Sequence, residues 1–249
     1  MTLLVVELRR LLTRRLLRLL LALAVLAIAI AGLIVFIKGD ASYFLTGLQD
    51  VLAGTTVPLV LVGWLLGASF IGADWRAGTI VTQLTWEPRR VRLLVTKALA
   101  VALVAMAIHV LLQALLASAL LPGIVSKGTT AGANALWLRG VIGVILRGAV
   151  LAGIGALIGF AVGTVGRNTA VALGAGFVYL AILEGGLLGG IYPGIRRWLL
   201  IGNSIVFVGG SSAPDVVGRS VLGAGVLLTT YGIGAVAVAA AFFRARDVT

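Results

Sequence analysis

The stretch GADWRAGTIVTQLTWEPRRVRLLVTK, residues 72–97, stands between two long apolar runs and carries five Lys/Arg, two acids and two tryptophans. A chain that interrupts apolar runs in this way has left a hydrocarbon environment and is about to re-enter it. The composition agrees: 61% hydrophobic residues against 11% charged, 34 glycines and a mean hydropathy of +1.16 lie far from those of a soluble domain. This is the composition of an integral membrane protein.

A bilayer core of about 30 Å takes about 20 apolar helical residues to cross. Outward from the stretch, six segments reach that length: 19–37, 51–73, 98–121, 141–165, 169–188 and 220–243. The first is too long for the apolar core of a cleaved signal peptide and reads as a retained helix. The expected architecture is all-α, with an amphipathic N-terminal helix over 1–18, a six-helix membrane domain over 19–243 and a short tail over 244–249. On a helical wheel, Val5, Leu8, Leu12, Leu16 and Leu19 share one side and Glu7, Arg10, Arg14, Arg15 and Arg18 another. That pattern suits a helix lying in the membrane surface with its arginines toward anionic head groups. The alternative is an extension of the first span with snorkelling arginines.

Six spans put both termini on one side. With the termini inside, thirteen of the twenty Lys/Arg fall on cytoplasmic segments and seven on outer ones, which predicts a multi-pass cell-membrane protein with both ends in the cytoplasm. The formal charge of +12 then serves topology and contact with membrane lipid, not nucleic acid. There is no cysteine, so disulfides and thiolate chemistry are excluded.

Residues 72–97 become the largest interior loop. Within it 74–86 read as a short helix of mixed polarity, and Pro88 as part of the first turn of the next helix. Topology accounts for the arginines, but not for two tryptophans and the Gly78-Thr79 pair.

Chemistry is sparse. None of Lys38, Lys97 and Lys127 follows a glycine as a P-loop requires, so ATP is not hydrolysed on this chain. One histidine supplies no metal set and no catalytic cluster, leaving His109 and Glu184 as the acid/base candidates at membrane depth. His109 and Gln113, four residues apart, share a face of the third span and should point into the bundle, as interhelical hydrogen bonds or as part of a substrate path. Gly155, Gly159 and Gly163 form a small-residue packing stripe on the fourth span. Arg147 and Glu184 lie at matching depths, roughly 12 and 9 Å below the outer ends of spans four and five, which predicts an intramembrane ion pair. The alternative has Glu184 facing an exit path for a cationic substrate. Residues 198–208 are apolar but too short to span; flanked by Gly185-Gly186 and Gly189-Gly190, they read as a re-entrant external segment.

The loop order Asp74-Trp75, Gly78-Thr79, apolar Ile80 to Leu84, Pro88-Arg89-Arg90 and Lys97 resembles the loop between spans two and three of type-2 ATP-binding-cassette (ABC) transporter permeases. The resemblance extends to the amphipathic N-terminal helix, six spans, Glu184 late in the fifth and the tail Phe243-Arg244-Ala245-Arg246-Asp247. It implies a transport subunit, an exporter and not an enzyme, whose coupling helix docks on an ATPase through Asp74, Trp75, Arg76, Gly78, Thr79, Ile80 and Trp86. It further implies a second permease subunit, identical or homologous, meeting this one near spans two and five, and two ATPase subunits holding ATP and Mg. Thr55, Thr56 and Phe177, with His109 and Gln113, would line the path; Pro58 would loosen span two, its freed carbonyl met by the neighbouring threonines. Asp74 departs from the family's usual Glu, keeping the charge and shortening its reach. The competing function is a membrane-embedded enzyme or assembly factor using His109 or Glu184.

Overall fold

The computed structural model describes residues 3–39, 45–184, 192–210 and 217–245. They are nearly all helical, with no strand among them. In chain order the helices are α1 (Leu3–Leu12), α2 (Arg15–Lys38), α3 (Leu48–Arg76), α4 (Thr79–Trp86), α5 (Arg90–Lys127), α6 (Ala135–Gly166), α7 (Thr169–Val178), α8 (Leu200–Gly209) and α9 (Val221–Ala245). A π-helical turn, Tyr179–Glu184, prolongs α7, and a 3-10 turn, Pro193–Trp198, leads into α8. Five of these helices, α2, α3, α5, α6 and α9, are long and apolar enough to cross a membrane. The chain is thus a helical, multi-pass membrane protein by length and composition. The expected fifth span is described as ten α-helical and six π-helical residues; Gly185, Gly186, Gly189 and Gly190, like Arg246 and Asp247 of the tail, lie outside the described residues.

Helix boundaries depart from expectation at the loop. Asp74, Trp75 and Arg76 complete α3 instead of opening the short helix, because the break falls at Gly78, whose left-handed φ of 64° disfavours a residue with a Cβ. Pro88 lies before the start of α5 and not within its first turn. Asn134 and Asn168 cap α6 and α7, each accepting a backbone N–H at 2.9 Å.

The spine of the bundle is α3 against α6. Gly155 and Gly163 of α6 face α3, where an added Cβ would stand 2.8 Å from the Val60 carbonyl and 2.7 Å from Ile71; at Gly159 it would strike the Trp64 carbonyl. Gly63 and Gly67 reply from α3 against Ala152 and Ala156. Two backbones in contact gain the dispersion energy that must replace a hydrophobic effect absent in lipid. Helix α5 packs on α6 and carries α2 on its other side, while α9 covers α6 and α8. One apolar cluster gathers Leu11, Phe70, Ile80, Phe160 and Phe243 at the end where both described termini lie, hereafter the base; a second gathers Leu52, Leu120, Val144 and Leu228.

Candidate functional site

Helix α1 and the roots of the 74–97 loop meet at the base in a cluster of five charges. Asp74, in the last turn of α3, is 1% exposed. Lys97 of α5 donates to its Oδ2 at 2.7 Å, Arg10 of α1 donates to Oδ1 at 2.6 Å and to Oδ2 at 3.3 Å, and Arg14 stands 3.6 Å away. Lys97 also reaches Glu7 Oε1 at 3.0 Å. The cations of Arg14 and Lys97 lie 4.8 and 5.1 Å from the centre of the Phe70 ring, and Arg14 donates to the carbonyls of Ser69 and Phe70. Burial pushes the Arg14 guanidinium below its ordinary value, with Asp74 pulling the other way. Thr79, the first residue of α4, donates to the Asp74 carbonyl at 3.3 Å. Two buried carboxylates surrounded by three cations join α1, α3, α4 and α5 into one unit, since removing any member strands its buried partners.

This geometry departs from the expected setting of the N-terminal helix at two of its arginines, while Arg15 and Arg18 stay exposed. Glu7 and Leu11 are buried, Arg10 and Arg14 turn inward to Asp74, and Val5, Leu12, Leu16 and Leu19 face outward. A helical wheel places charges relative to each other but cannot show an acid 64 residues away waiting for them. The signal available in the sequence was Glu7 within a basic helix, with Lys97 at the opening of an apolar run: opposite charges that each need a partner at membrane depth.

The residues expected to dock an ATPase divide accordingly. Asp74 and Ile80 are turned inward, Ile80 at 2% exposure, so neither is available to a partner. Trp75 is held edge-on against Phe243, ring centres 6.0 Å apart, with the Arg167 guanidinium 4.9 Å from its ring. Arg76 and Gly78 are exposed, Thr79 is half-buried, and Trp86 at the end of α4 is 86% exposed. Val81 adds an exposed apolar contact to the same short helix.

Deeper in the bundle, Gln113 of α5 donates to the Leu52 carbonyl at 3.0 Å and to the hydroxyls of Thr56 and Thr55 at 3.2 and 3.3 Å, all on α3. Thr55 and Thr56 in turn donate to the Val51 and Leu52 carbonyls. The carbonyl that Pro58 leaves without its helical donor belongs to Gly54, so the threonines do not repair that gap as expected. His109, one turn from Gln113, is 1% exposed, and its ring fills the space a side chain at Gly148 would need. Neither ring nitrogen has a hydrogen-bond partner among the described residues. The void beside it, about 10 Å³, has room for no more than a water. Thr56, His109 and Gln113 thus sit in a sealed wall between helices. Phe177 of α7 is separate from them: it is 73% exposed and borders an apolar cavity of about 300 Å³ with Trp64, Ile154 and Ile201.

Arg147 and Glu184 are not joined. Arg147 donates to the Gly143 carbonyl of its own helix at 3.1 Å, and its guanidinium packs against Gly210, just past the end of α8. Glu184 Oε1 accepts from Tyr179 Oη at 2.7 Å and from the Ile201 amide at 2.9 Å, while Tyr179 Oη accepts from the Leu200 amide at 3.1 Å. Glu184 and Tyr179 therefore cap α8, whose own N-cap residue Leu199 offers no side-chain acceptor. The two charges stand at opposite ends of this ten-residue helix, about 15 Å of axis apart. The expected ion pair is therefore not formed: a count of residues along two helices does not fix the direction in which each side chain leaves its helix.

Among the described residues no group of three or more His, Cys, Asp or Glu side chains converges as a metal site. Comparison with family models, with curated proteins and with solved structures finds no match to this chain.

Proposed function

We propose that the chain is the membrane-spanning subunit of an ABC exporter, crossing the membrane six times with both termini in the cytoplasm. In this reading α4 is the coupling helix, α8 is the external re-entrant element, and two copies or homologues pair over two ATPase subunits that hold ATP and Mg. The observation that carries it is Trp86: a large aromatic side chain presented almost bare at the end of a short helix that is itself clamped to the bundle. Exposed aromatic and arginine side chains of this kind are the usual anchors of a protein interface. The clamp gives such an anchor a mechanical use, because a push on α4 reaches α1, α3 and α5 through Asp74, Arg10 and Lys97 instead of being absorbed in a slack loop. An enzyme acting through His109 or Glu184 has less support, since the first is sealed between helices and the second is occupied in capping α8.

Purification of the full chain from its own membranes, followed by mass spectrometry, is expected to recover a P-loop ATPase. Recovery of that ATPase with the wild type but not with Trp86→Ala supports the docking role. Absence of any P-loop protein from the wild-type preparation overturns the reading.

A further inference from the structure

Two apolar grooves meet where α7, α8 and α9 face α3 and α6. The first is the cavity of about 300 Å³ beside Phe177. The second, about 650 Å³, runs along α9 past Tyr231 and Gly234 to Val162 of α6. They share Trp64, Ile158, Tyr179 and Leu200, so Tyr179 and Leu200 form the ridge between them. The hydroxyls on these walls and the Trp64 indole are already engaged within the protein. Trp64 Nε1 donates to the Ala172 carbonyl, Ser204 to Leu200, Thr230 to Val226 and Tyr231 to Trp198, and Tyr179 is bound to Glu184. What remains for a ligand is hydrocarbon, apart from the Trp198 indole at the mouth of the second groove.

The second groove has a charged mouth. The guanidinium groups of Arg197 and Arg219 lie 5.6 and 5.1 Å from the centre of the Trp198 ring, and Arg219 also donates to the Arg197 carbonyl at 3.2 Å. Neither arginine forms an ion pair among the described residues. A tryptophan with arginines over its ring is a common combination at a membrane interface. From Trp198 the groove descends along α9 toward the base, the direction an acyl chain takes from its head group into the bilayer.

We infer that this face binds an anionic phospholipid with two acyl chains. The phosphate sits between Arg197 and Arg219, where charge-assisted hydrogen bonds hold it, and the chains lie in the two grooves on either side of the Tyr179 and Leu200 ridge. Charge selects the head group, because the mouth offers two cations. Hydrocarbon fills the grooves, because their walls are almost wholly apolar and the hydroxyls on them are bonded within the protein.

The test is native mass spectrometry of the full chain, equilibrated in detergent with phosphatidylglycerol or with phosphatidylcholine of the same acyl chains. Wild type is expected to retain phosphatidylglycerol about tenfold or more over phosphatidylcholine, and each of Arg197→Ala and Arg219→Ala to lower that preference about fivefold. Gly234 lines the second groove and has no atom within 4 Å of an added Cβ, so a side chain can start there, and Gly234→Leu is expected to occupy the groove and reduce retention of both lipids. Gly174 is equally open but borders neither groove, so Gly174→Leu is expected to behave as wild type. Equal retention of the two lipids by wild type overturns the proposal, as does an unchanged preference in the double arginine variant or unchanged retention in Gly234→Leu. No ATPase is present in this measurement, so its outcome bears on the lipid site alone.

Discussion

Lys97 Nζ lies 2.7 Å from Asp74 Oδ2, with the two side chains 2% and 1% exposed. The residues are 23 apart in sequence and stand at the two roots of the 74–97 loop, so their bond closes the loop at its base. Arg10 then fastens the N-terminal helix to the same carboxylate. The loop is therefore a rigid bracket carrying α4, and its acid serves the inside of the protein instead of a partner.

Replacing Lys97 by Met leaves Asp74 and Glu7 buried with one cation fewer and is expected to cost about 3 kcal/mol, toward the lower end for breaking a buried pair because Arg10 and Arg14 remain. The double change Lys97→Met with Asp74→Asn should cost less than the single one. Thermal unfolding in detergent measures both, and a single-variant cost below about 1 kcal/mol contradicts the bracket.

Trp86→Ala should leave thermal unfolding as in wild type, because the side chain touches little of its own protein. In the proposed complex it should weaken ATPase binding by about 2 kcal/mol, roughly thirtyfold. Trp75→Ala is expected to do the reverse, lowering stability by about 2 kcal/mol through lost contacts with Phe243 and Arg167. Paired measurements of unfolding and partner affinity separate the two tryptophans.

At Gly159 there is no room for a side chain, because a Cβ meets the Trp64 carbonyl of the facing helix. Gly159→Leu must push α3 and α6 apart along the longest contact in the bundle, at a cost of about 3 kcal/mol or more. Its yield of folded protein, read by size-exclusion chromatography, should collapse, whereas Gly174→Leu should fold.

A double-mutant cycle on Arg147 and Glu184 should be additive within about 0.5 kcal/mol, since the two occupy opposite ends of α8. The charge swap Arg147→Glu with Glu184→Arg is accordingly expected not to restore expression. Tyr179→Phe combined with Glu184→Gln should show coupling, because both groups cap the same helix end.

For the proposed pairing of two subunits along α3, a cysteine at Thr56 is a poor probe, since that side chain is buried against Gln113. Val51 and Leu61 face outward on the same helix. Cross-links are expected from cysteines at Val51 or Leu61 and not from Thr56; a Thr56 cross-link without the others contradicts this face as the contact.

The sequence by itself determined the class and the five long apolar helices. Those properties are local, because run length has only to meet bilayer thickness. The glycine spacing of α6 announced a packing face, although not that Gly63 and Gly67 of α3 would meet it. Tertiary structure decided where each charge went. Arg10 and Arg14 could be read as facing head groups until α3 brought Asp74 beneath them, and Arg147 and Glu184 could be matched by depth until α8 came between their directions. A single helix fixes which side chains share a face, but only the packed bundle fixes what that face meets, because a buried charge is settled by whichever opposite group lies within a few ångströms, however distant in sequence.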